Sequence, residues 1–480
     1  MRRMLLIVLL GLSLGSCATK GALKMACADF SSFIHPIEMT PLERQIRALD
    51  LEALPPAERE LADRLAAPEI ARLQADPAFL AAAPAPSRPV LLLSGGGQWG
   101  AFGVGLMNQL VENHQFPDFA VVTGVSTGAL QSLFVGAGLD RQDAQGKAIR
   151  DALEIAYSPA RESDIVNRES IQALAAITGA MAGLAPLKRR FEDRICPKIY
   201  DPKSPAGQAG VCIVQTLRDT RTRKVLLGLI EANSGAFGYI DVQELLAPYG
   251  NSDADLAKAT QCLAGAALAS AAVPVFYQQV RVDGKTYYDG GVRQSVFLAS
   301  VADAQRLAGD VVRRERARLL GREAGAAPGG GSDIYVIRNG PTVLPPDQVV
   351  MPGYPSEIDQ KADALTAAQR GEAIMVNQLE VGSIAALRLS RPGGAIWFVS
   401  ADGFENYTPT YDLTVRCGKL KEANRKAMFV PPFMKCMMDY GRNRATGGEP
   451  WIDLCHYDGT ETRAICRRPD GTMPGAVGRR

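Results

Sequence analysis

Short apolar runs, each followed by a glycine-rich turn and a helical pattern, mark the middle of the chain. Residues 90–93 are all apolar and precede the sequence SGGG at residues 94–97, after which apolar residues recur at helical spacing. A second apolar run covers residues 119–122, and a tight turn at residues 123–128 leads into another helical pattern. Uninterrupted apolar runs are typical of strands that are buried on both faces of a parallel sheet. Two successive strand–helix units therefore predict an α/β fold, in which helices flank a mainly parallel sheet.

Further apolar runs extend the predicted sheet beyond these two units. They are short and separated by turn residues, as expected for additional strands. The predicted segments are strands at residues 334–337 and 396–399, a helix-rich stretch between residues 360 and 387, and a hairpin with arms at residues 211–217 and 225–229.

The segment before the sheet has a different pattern. Residues 40–80 are rich in Ala, Leu, Glu and Arg at helical spacing, and a Pro-Pro pair and Pro68 interrupt them. This pattern predicts short helices. The sequence AAAPAPSRP at residues 81–89 is typical of a stiff linker. We therefore predict an N-terminal helical tether over residues 17–89.

The first residues have the features of an export signal. Arg2 and Arg3 precede an apolar run at residues 4–14 that is too short to span a bilayer, which predicts a signal peptide over residues 1–16. The run ends in Leu-Gly-Ser before Cys17 and resembles a bacterial lipobox. That resemblance implies lipidation of Cys17 and a lipid-anchored protein of the cell envelope, on the periplasmic or outer-membrane face. A plain secretory peptide with a chance cysteine is the alternative.

Composition and charge exclude some classes of protein. Hydrophobic residues make up 47% of the chain and charged residues 22%, which is the balance of a globular protein rather than a disordered one. The chain has 53 basic and 51 acidic residues, a formal net charge of +2, so no strong field attracts nucleic acid. We expect no nucleic-acid partner.

Cysteine usage agrees with export. The chain has nine cysteines, and without Cys17 an even number remains, which suits an oxidising compartment. No CxxC pair occurs, and His456 alone cannot complete a zinc site, so we predict disulfides rather than metal near the end of the chain. Their pairing cannot be deduced from sequence. Four cysteines define a Cys-rich C-terminal extension over residues 401–480: Cys417, Cys436, Cys455 and Cys466.

A candidate nucleophile lies in the second strand–helix unit. Residues 124–128 have the sequence G-x-S-x-G between a predicted strand and a predicted helix, the context of a nucleophile elbow. The sharp turn requires small residues two positions before and after Ser126, and Gly124 and Gly128 supply them. The helix that begins near Thr127 directs its free N–H groups and positive dipole end at the reaction centre.

The glycine loop after the first strand has two interpretations. Gly95, Gly97 and Gly100 match a dinucleotide fingerprint, which needs an acidic residue about 20 positions later at the end of the second strand. That strand ends in Val-Thr-Gly and carries no carboxylate there. Consecutive glycines at Gly95, Gly96 and Gly97 also expose backbone N–H groups without Cβ obstruction, as an oxyanion hole requires. The triple glycine favours the oxyanion hole.

A serine nucleophile needs a base, and histidine is the usual one. Carboxylates are the alternative, and Asp289 stands before Gly290 and Gly291 after a predicted strand pair, although such an aspartate is often a mere turn residue. The three histidines lie in the tether, near the end of the first helix and in the C-terminal extension, where none is well placed: His35, His114 and His456.

Together these residues resemble the patatin-like phospholipase family. The resemblance lies in the order of four features: the SGGG-x-x-G loop, the G-x-S-x-G turn, an Ala/Ser-rich helix that leads into Pro274-x-Phe276, and the sequence YDGG. It covers roughly residues 90–294. It implies a patatin-like three-layer fold for a catalytic domain over residues 90–400, with the motifs in residues 90–300.

The resemblance also implies a chemistry without histidine. Ser126 attacks an ester carbonyl, Asp289 takes the serine proton, and N–H groups of the glycine loop and of Thr127 hold the oxyanion. No metal or cofactor is required, and the expected substrates are phospholipid or related lipid esters at a membrane. The chain departs from the common family pattern at Trp99, where many members have a basic residue; we expect this tryptophan to pack rather than to contact lipid.

Two alternative functions stay open at this stage, and so does the role of one predicted helix. The G-x-S-x-G sequence alone also permits an α/β-hydrolase with a Ser-Asp-His triad that uses His456. A non-catalytic envelope lipoprotein could use the same scaffold, because a fold does not guarantee a function. Residues 429–441 form a predicted amphipathic helix, and either core packing or lipid contact could explain its apolar face.

Overall fold

The protein is described by a computed structural model. It describes residues 21–37, 56–82, 88–168, 180–220, 223–297, 299–323, 333–344, 364–390, 396–423, 427–447 and 450–454. The predicted signal peptide, Cys17 and His456 lie outside these residues. The division into tether, catalytic domain and extension stays a prediction.

The strands build one large sheet and one small sheet. In the large sheet, β13, β12, β3, β4 and β7 run parallel in that spatial order, and antiparallel strands extend both ends. β5, β6 and β9 form the small sheet. The strands are β1 (Leu23–Met25), β2 (Ile34–Pro36), β3 (Val90–Leu93), β4 (Val121–Val125), β5 (Asn167–Arg168), β6 (Ala180–Gly183), β7 (Lys224–Glu231), β8 (Phe237–Asp241), β9 (Val275–Tyr277), β10 (Val280–Val282), β11 (Lys285–Asp289), β12 (Ile334–Arg338), β13 (Ile396–Ser400) and β14 (Ile452–Asp453).

Helices cover both faces of the large sheet, which confirms the expected three-layer α/β fold. Side chains alternate across β3, so that Leu91 and Leu93 enter one core while Val90 and Leu92 enter the other. The helices are α1 (Pro56–Ala75), α2 (Pro77–Ala81), α3 (Gly100–Glu112), α4 (Thr127–Gly136), α5 (Ala144–Ala156), α6 (Ala185–Ile195), α7 (Pro197–Tyr200), α8 (Pro205–Gln208), α9 (Ile213–Asp219), α10 (Val242–Leu246), α11 (Asp253–Ser270), α12 (Ala299–Leu319), α13 (Ala364–Ser390), α14 (Cys417–Glu422) and α15 (Pro431–Thr446).

Segments before residue 90 pack onto this core. β1 pairs in parallel with β10, and β2 pairs antiparallel with β8. α1 packs against α12 and continues through Pro68, so the prediction of a break at this proline is wrong. The buried side chains of Leu61 and Leu73 lie on either side of Pro68 and give the helix enough tertiary packing to tolerate it.

The predicted hairpin after residue 211 is wrong in its first arm. Residues Ile213–Asp219 form α9, while β7 pairs in an antiparallel hairpin with β8 instead. Ile213, Val214 and Leu217 are buried, and this i, i+1, i+4 spacing places them on one helical face.

Three disulfides lie within the described residues, and one of them joins segments 235 positions apart. The pairs are Cys27–Cys262, Cys196–Cys212 and Cys417–Cys436. The prediction of disulfides near the end of the chain is confirmed for Cys417 and Cys436, and Cys455 and Cys466 lie outside the described residues.

Candidate active site

Ser126 occupies a sharp turn between β4 and α4. Its backbone has φ 57° and ψ −125°, a conformation that non-glycine residues rarely adopt and that is typical of strained functional sites. The flanking glycines allow this turn, because a Cβ at Gly124 would lie 2.2 Å from the carbonyl oxygen of Gly128. A Cβ at Gly128 would lie 2.2 Å from the carbonyl oxygen of Leu93. The geometry is that of a nucleophile elbow.

The C-terminal end of α11 holds Ser126 in place. The Ser126 N–H donates to the carbonyl oxygen and to Oγ of Ser270, each at 3.1 Å. Ser270 Oγ in turn donates to the carbonyl oxygen of Gly228 on β7 at 2.5 Å. The elbow is therefore fixed to both a helix and the neighbouring strand.

The strand register brings Asp289 next to Ser126. On β7, Gly228 is the partner of Val125 from β4, and Leu229 is the partner of Asp289 from β11. The other edge of β7 is occupied by β8, so β4 and β11 lie end to end along one edge. Val125 and Asp289 thus occupy successive register positions, which are about 3.3 Å apart along a strand. Ser126 immediately follows Val125.

Asp289 is buried and held by its surroundings. Its side chain is 2% exposed, and Oδ1 accepts a 2.7 Å hydrogen bond from the N–H of Gly291. Its own N–H donates to the carbonyl oxygen of Ala272 at 3.0 Å, just beyond the end of α11. The segment after α11 therefore orients Asp289, as Ser270 orients Ser126.

The glycine loop adopts a conformation that needs glycine. Gly96 has φ 139°, and a Cβ there would lie 1.9 Å from the carbonyl oxygen of Asn339. Gly97 has φ 55°. The Gly95 N–H donates to Ser295 Oγ at 3.1 Å, so this N–H, expected in an oxyanion hole, is already engaged. Thr127 is the first residue of α4, where a backbone N–H has no intrahelical partner.

A buried polar network that the sequence did not reveal supports the loop. Asn339, which follows β12, donates from its N–H to Ser94 Oγ and from Nδ2 to the Ser94 carbonyl oxygen, both at 2.9 Å. Gln131 of α4 accepts from Asn339 Nδ2 at 2.9 Å and donates to the Gly100 carbonyl oxygen at 2.7 Å. The loop is thereby connected to the helix that follows Ser126.

Comparison with known proteins agrees with this geometry. The profile of the patatin-like phospholipase family matches residues 91–302. These residues form a patatin-like phospholipase domain. The match covers Ser126, Asp289 and the glycine loop, and it supports lipid acyl hydrolysis in general terms.

More distant comparisons add no argument about function. The crystal structure of VipD from Legionella pneumophila is 12% identical to this chain, with a TM-score of 0.27, over 74% of this chain and 68% of that chain. None of the curated proteins matches the sequence.

A mainly apolar cavity opens over Ser126 in the patatin-like domain. Its interior measures about 70 Å³, and the space measures about 730 Å³ when the open mouth is included. Tyr157 is part of the lining and binds Thr127 through both Oγ1, at 2.5 Å, and the carbonyl oxygen, at 3.0 Å. Burial raises the pKa of the Tyr157 phenol. The apolar part of the lining comes from Leu130, Phe134, Ile165, Leu187, Phe191, Ile195, Phe429 and Met434.

Trp99 packs against two phenylalanine rings, as predicted. Its ring contacts the rings of Phe404 and Phe433 edge-on, with centroids 4.7 and 4.9 Å away. A basic group nevertheless lies beside it, because Nζ of Lys421 is 4.5 Å from the Trp99 ring centroid. Burial lowers the pKa of Lys421 to about 8.

The helix predicted at residues 429–441 belongs to the core. α15 packs closely on α3, and Phe433, Met437 and Met438 are buried there. A Cβ at Gly105 would lie 1.9 Å from the Met438 carbonyl oxygen, so the two helices are in direct backbone contact. Core packing, one of the two interpretations left open, therefore explains most of this face, while Phe429 and Met434 of the same segment line the cavity over Ser126.

The described histidines lie away from Ser126. Nε2 of His35 on β2 is 2.8 Å from Oε2 of Glu244. Because β2 pairs with β8, it lies beyond the edge of β7 opposite Asp289. His114 follows α3 with φ 58°.

The described residues include neither a membrane-spanning helix nor a metal-binding cluster. None of their helices has both the length and the apolar character needed to cross a bilayer. No group of three or more His, Cys, Asp and Glu side chains within them could hold a metal ion.

Proposed function

We propose that the chain is a serine acyl-ester hydrolase that acts on phospholipids or related lipids through Ser126 and Asp289. The observation that carries the proposal is the shared edge of β7, which brings the elbow serine and a buried carboxylate together. The cavity over Ser126 supports a lipid substrate, because its lining is mainly apolar and would contact an acyl chain. A lipid panel assayed with the wild-type protein and with Ser126→Ala tests the proposal.

The proposed reaction has two steps. Ser126 Oγ attacks the ester carbonyl carbon while Asp289 takes the serine proton, and the N–H groups of Gly96, Gly97 and Thr127 stabilise the oxyanion. The carbon–oxygen bond to the alcohol then breaks, and Asp289 returns the proton to the leaving alcohol. In the second step, water gives a proton to Asp289 and attacks the acyl-enzyme. The fatty acid leaves and Ser126 regains its proton.

Two arginines in the cavity lining support recognition of an anionic headgroup. Arg190 and Arg194 lie one turn apart on α6 and face the cavity that contains Ser126. Arg190 Nε donates to the Ala156 carbonyl oxygen at 2.8 Å. Arg194 has only a distant ion pair, 3.6 Å from Asp201, and its buried Nε has no acceptor among the described residues. We propose that Arg194 binds a lipid phosphate.

Arg194→Gln is expected to weaken the binding of phosphate-bearing lipids selectively. The KM for a phospholipid should rise roughly five- to tenfold, because a charge-assisted hydrogen bond is lost. The KM for a neutral glyceride with the same acyl chains should not change. Arg189→Gln is the matched control, since Arg189 is exposed on the same helix and does not line the cavity. Equal KM changes for both lipids would contradict this role.

We also propose that the protein is exported and anchored in the cell envelope through Cys17. The three disulfides in the described residues support an oxidising compartment. In cells, Cys17→Ser is expected to move the protein from the membrane fraction to the soluble fraction, because the acyl chains that anchor it cannot be attached. Immunoblots of the two fractions measure this shift. A variant that stays fully in the membrane fraction would exclude Cys17 as the anchor.

A further inference from the structure

Ser295 lies between the glycine loop and the turn that bears Asp289. The Gly95 N–H donates to Ser295 Oγ at 3.1 Å, and Ser295 also binds Oε1 of Glu380 on α13. A backbone N–H can only donate, so Ser295 accepts from Gly95, and its single proton goes to the Glu380 carboxylate. Both hydrogen bonds of this fully buried hydroxyl are therefore fixed in direction.

Glu380 is a buried carboxylate that the proposed reaction does not use. It is 4% exposed and pairs with Nη2 of Arg338 at 2.8 Å, and Arg338 is 2% exposed. Burial raises the pKa of Glu380, and the Arg338 guanidinium opposes this rise. Buried ion pairs are weak evidence for stability because desolvation offsets their attraction. A role in orienting Ser295 accounts for this pair better.

Ser295 and Glu380 lie close to both Ser126 and the turn that bears Asp289. A Cβ at Gly95 would lie 3.1 Å from Ser295 Oγ, 3.3 Å from Ser126 Cβ and 3.7 Å from Glu380 Oε1. A Cβ at Gly291 would lie 3.0 Å from Asp289 Oδ1 and 3.8 Å from Ser295 Oγ. Ser295 is thus a near neighbour of Ser126 and of Asp289.

We propose that Ser295 and Glu380 are positioning residues that hold the glycine loop in register with Ser126 and Asp289. This inference rests on the proposed hydrolase function. Binding of the Gly95 N–H by Ser295 fixes the start of the loop, so that the N–H groups of Gly96 and Gly97 face the developing oxyanion. Preorganised donors of this kind stabilise the transition state more than the bound substrate. Gly95, one of the four expected oxyanion donors, then supports the hole instead of lining it.

Ser295→Ala tests this role without a change in charge. We expect kcat to fall by roughly 10- to 100-fold, because a displaced loop misplaces its oxyanion donors, with KM within about twofold of wild type. Affinity for a trifluoromethyl ketone, which forms a tetrahedral adduct, should fall in parallel with kcat/KM. Ser295→Thr keeps the hydroxyl and should recover most of the activity.

Glu380→Gln provides a second variant. Its amide oxygen can still accept from Ser295, but more weakly than a carboxylate, so we expect a smaller fall in kcat than with Ser295→Ala. This variant leaves the buried charge of Arg338 without a counter-charge. If that prevents folding, Ser295→Ala decides the question alone.

Ser132→Ala is the matched control. Ser132 is a fully buried serine on α4 whose hydroxyl donates only to the Ala129 carbonyl oxygen, at 2.8 Å, among the described residues. Its kcat should equal that of wild type when rates are normalised to folded protein. An active wild type with an unchanged kcat in Ser295→Ala would overturn this inference alone. A wild type without turnover on any lipid would overturn the proposed function and this inference with it.

Discussion

Ser126→Ala is expected to abolish lipid hydrolysis, with kcat lowered roughly 10⁴-fold or more. Alanine cannot form the acyl-enzyme, and the neighbouring hydroxyl of Thr127 is hydrogen-bonded to Tyr157. The backbone φ of 57° at residue 126 should be retained in the variant, because the surrounding glycines and Ser270 fix the backbone there. Release of fatty acid from phospholipid, lysophospholipid and neutral glyceride measures the effect.

Ser132→Ala again serves as the control, because Ser132 is a buried serine on α4, the helix that follows Ser126. It should keep wild-type turnover, and both variants should unfold at temperatures close to that of wild type. Residual hydrolysis in Ser126→Ala at more than a few per cent of the wild-type rate would show that another group is the nucleophile.

Asp289→Asn is expected to give the second-largest loss, a fall in kcat of roughly 10²- to 10⁴-fold. The asparagine oxygen can still accept the hydrogen bond from the Gly291 N–H, so the turn should keep its shape. The amide cannot take the proton from Ser126, and KM should therefore change much less than kcat. Steady-state kinetics on the best substrate of the panel separates the two constants.

The hairpin formed by β10 and β11, which ends in Asp289, offers a matched control. Asp283 lies at its exposed end, between β10 and β11, with φ 47°, a conformation that asparagine tolerates well. Asp283→Asn should leave kcat and KM unchanged. Equal losses in both variants would indicate damage to the hairpin and not the removal of a base.

The chemistry-bearing residues could be predicted because each belongs to a local pattern. Ser126 lies in a G-x-S-x-G turn between a strand and a helix, and the triple glycine follows a strand of four apolar residues. Asp289 has a weaker local signal, because an aspartate before two glycines is often a turn residue, and its role as a base rests on the family resemblance. Its position beside Ser126 depends on the register of β11 on β7, and a single sequence does not specify that register.

The supporting residues carry no local signal. Ser295 and Glu380 are 85 positions apart in the chain, and Asn339 reaches Ser94 across 245 positions. An isolated serine, glutamate or asparagine is usually a surface or turn residue, so only tertiary structure identifies these as buried partners.

The two wrong predictions of local structure also have physical causes. Residues 211–217 form a short, largely apolar run that resembles a strand, but the same apolar residues fit a helical face, and such runs do not distinguish the two. The disulfide from Cys212 to Cys196 and the burial of Leu217 favour the helix α9. Pro68 lies within α1 because packing against α12 offsets the loss of one backbone hydrogen bond.

The most direct test of the central claim is the rate at which a fluorophosphonate modifies Ser126, followed by mass spectrometry of the peptide that contains it. We expect fast modification in wild type, modification at least about 100-fold slower in Asp289→Asn, and no change in His456→Ala, since Asp289 alone activates the serine. Unimpaired modification of Ser126 in Asp289→Asn, with loss in His456→Ala, would contradict the account and favour a Ser-Asp-His triad.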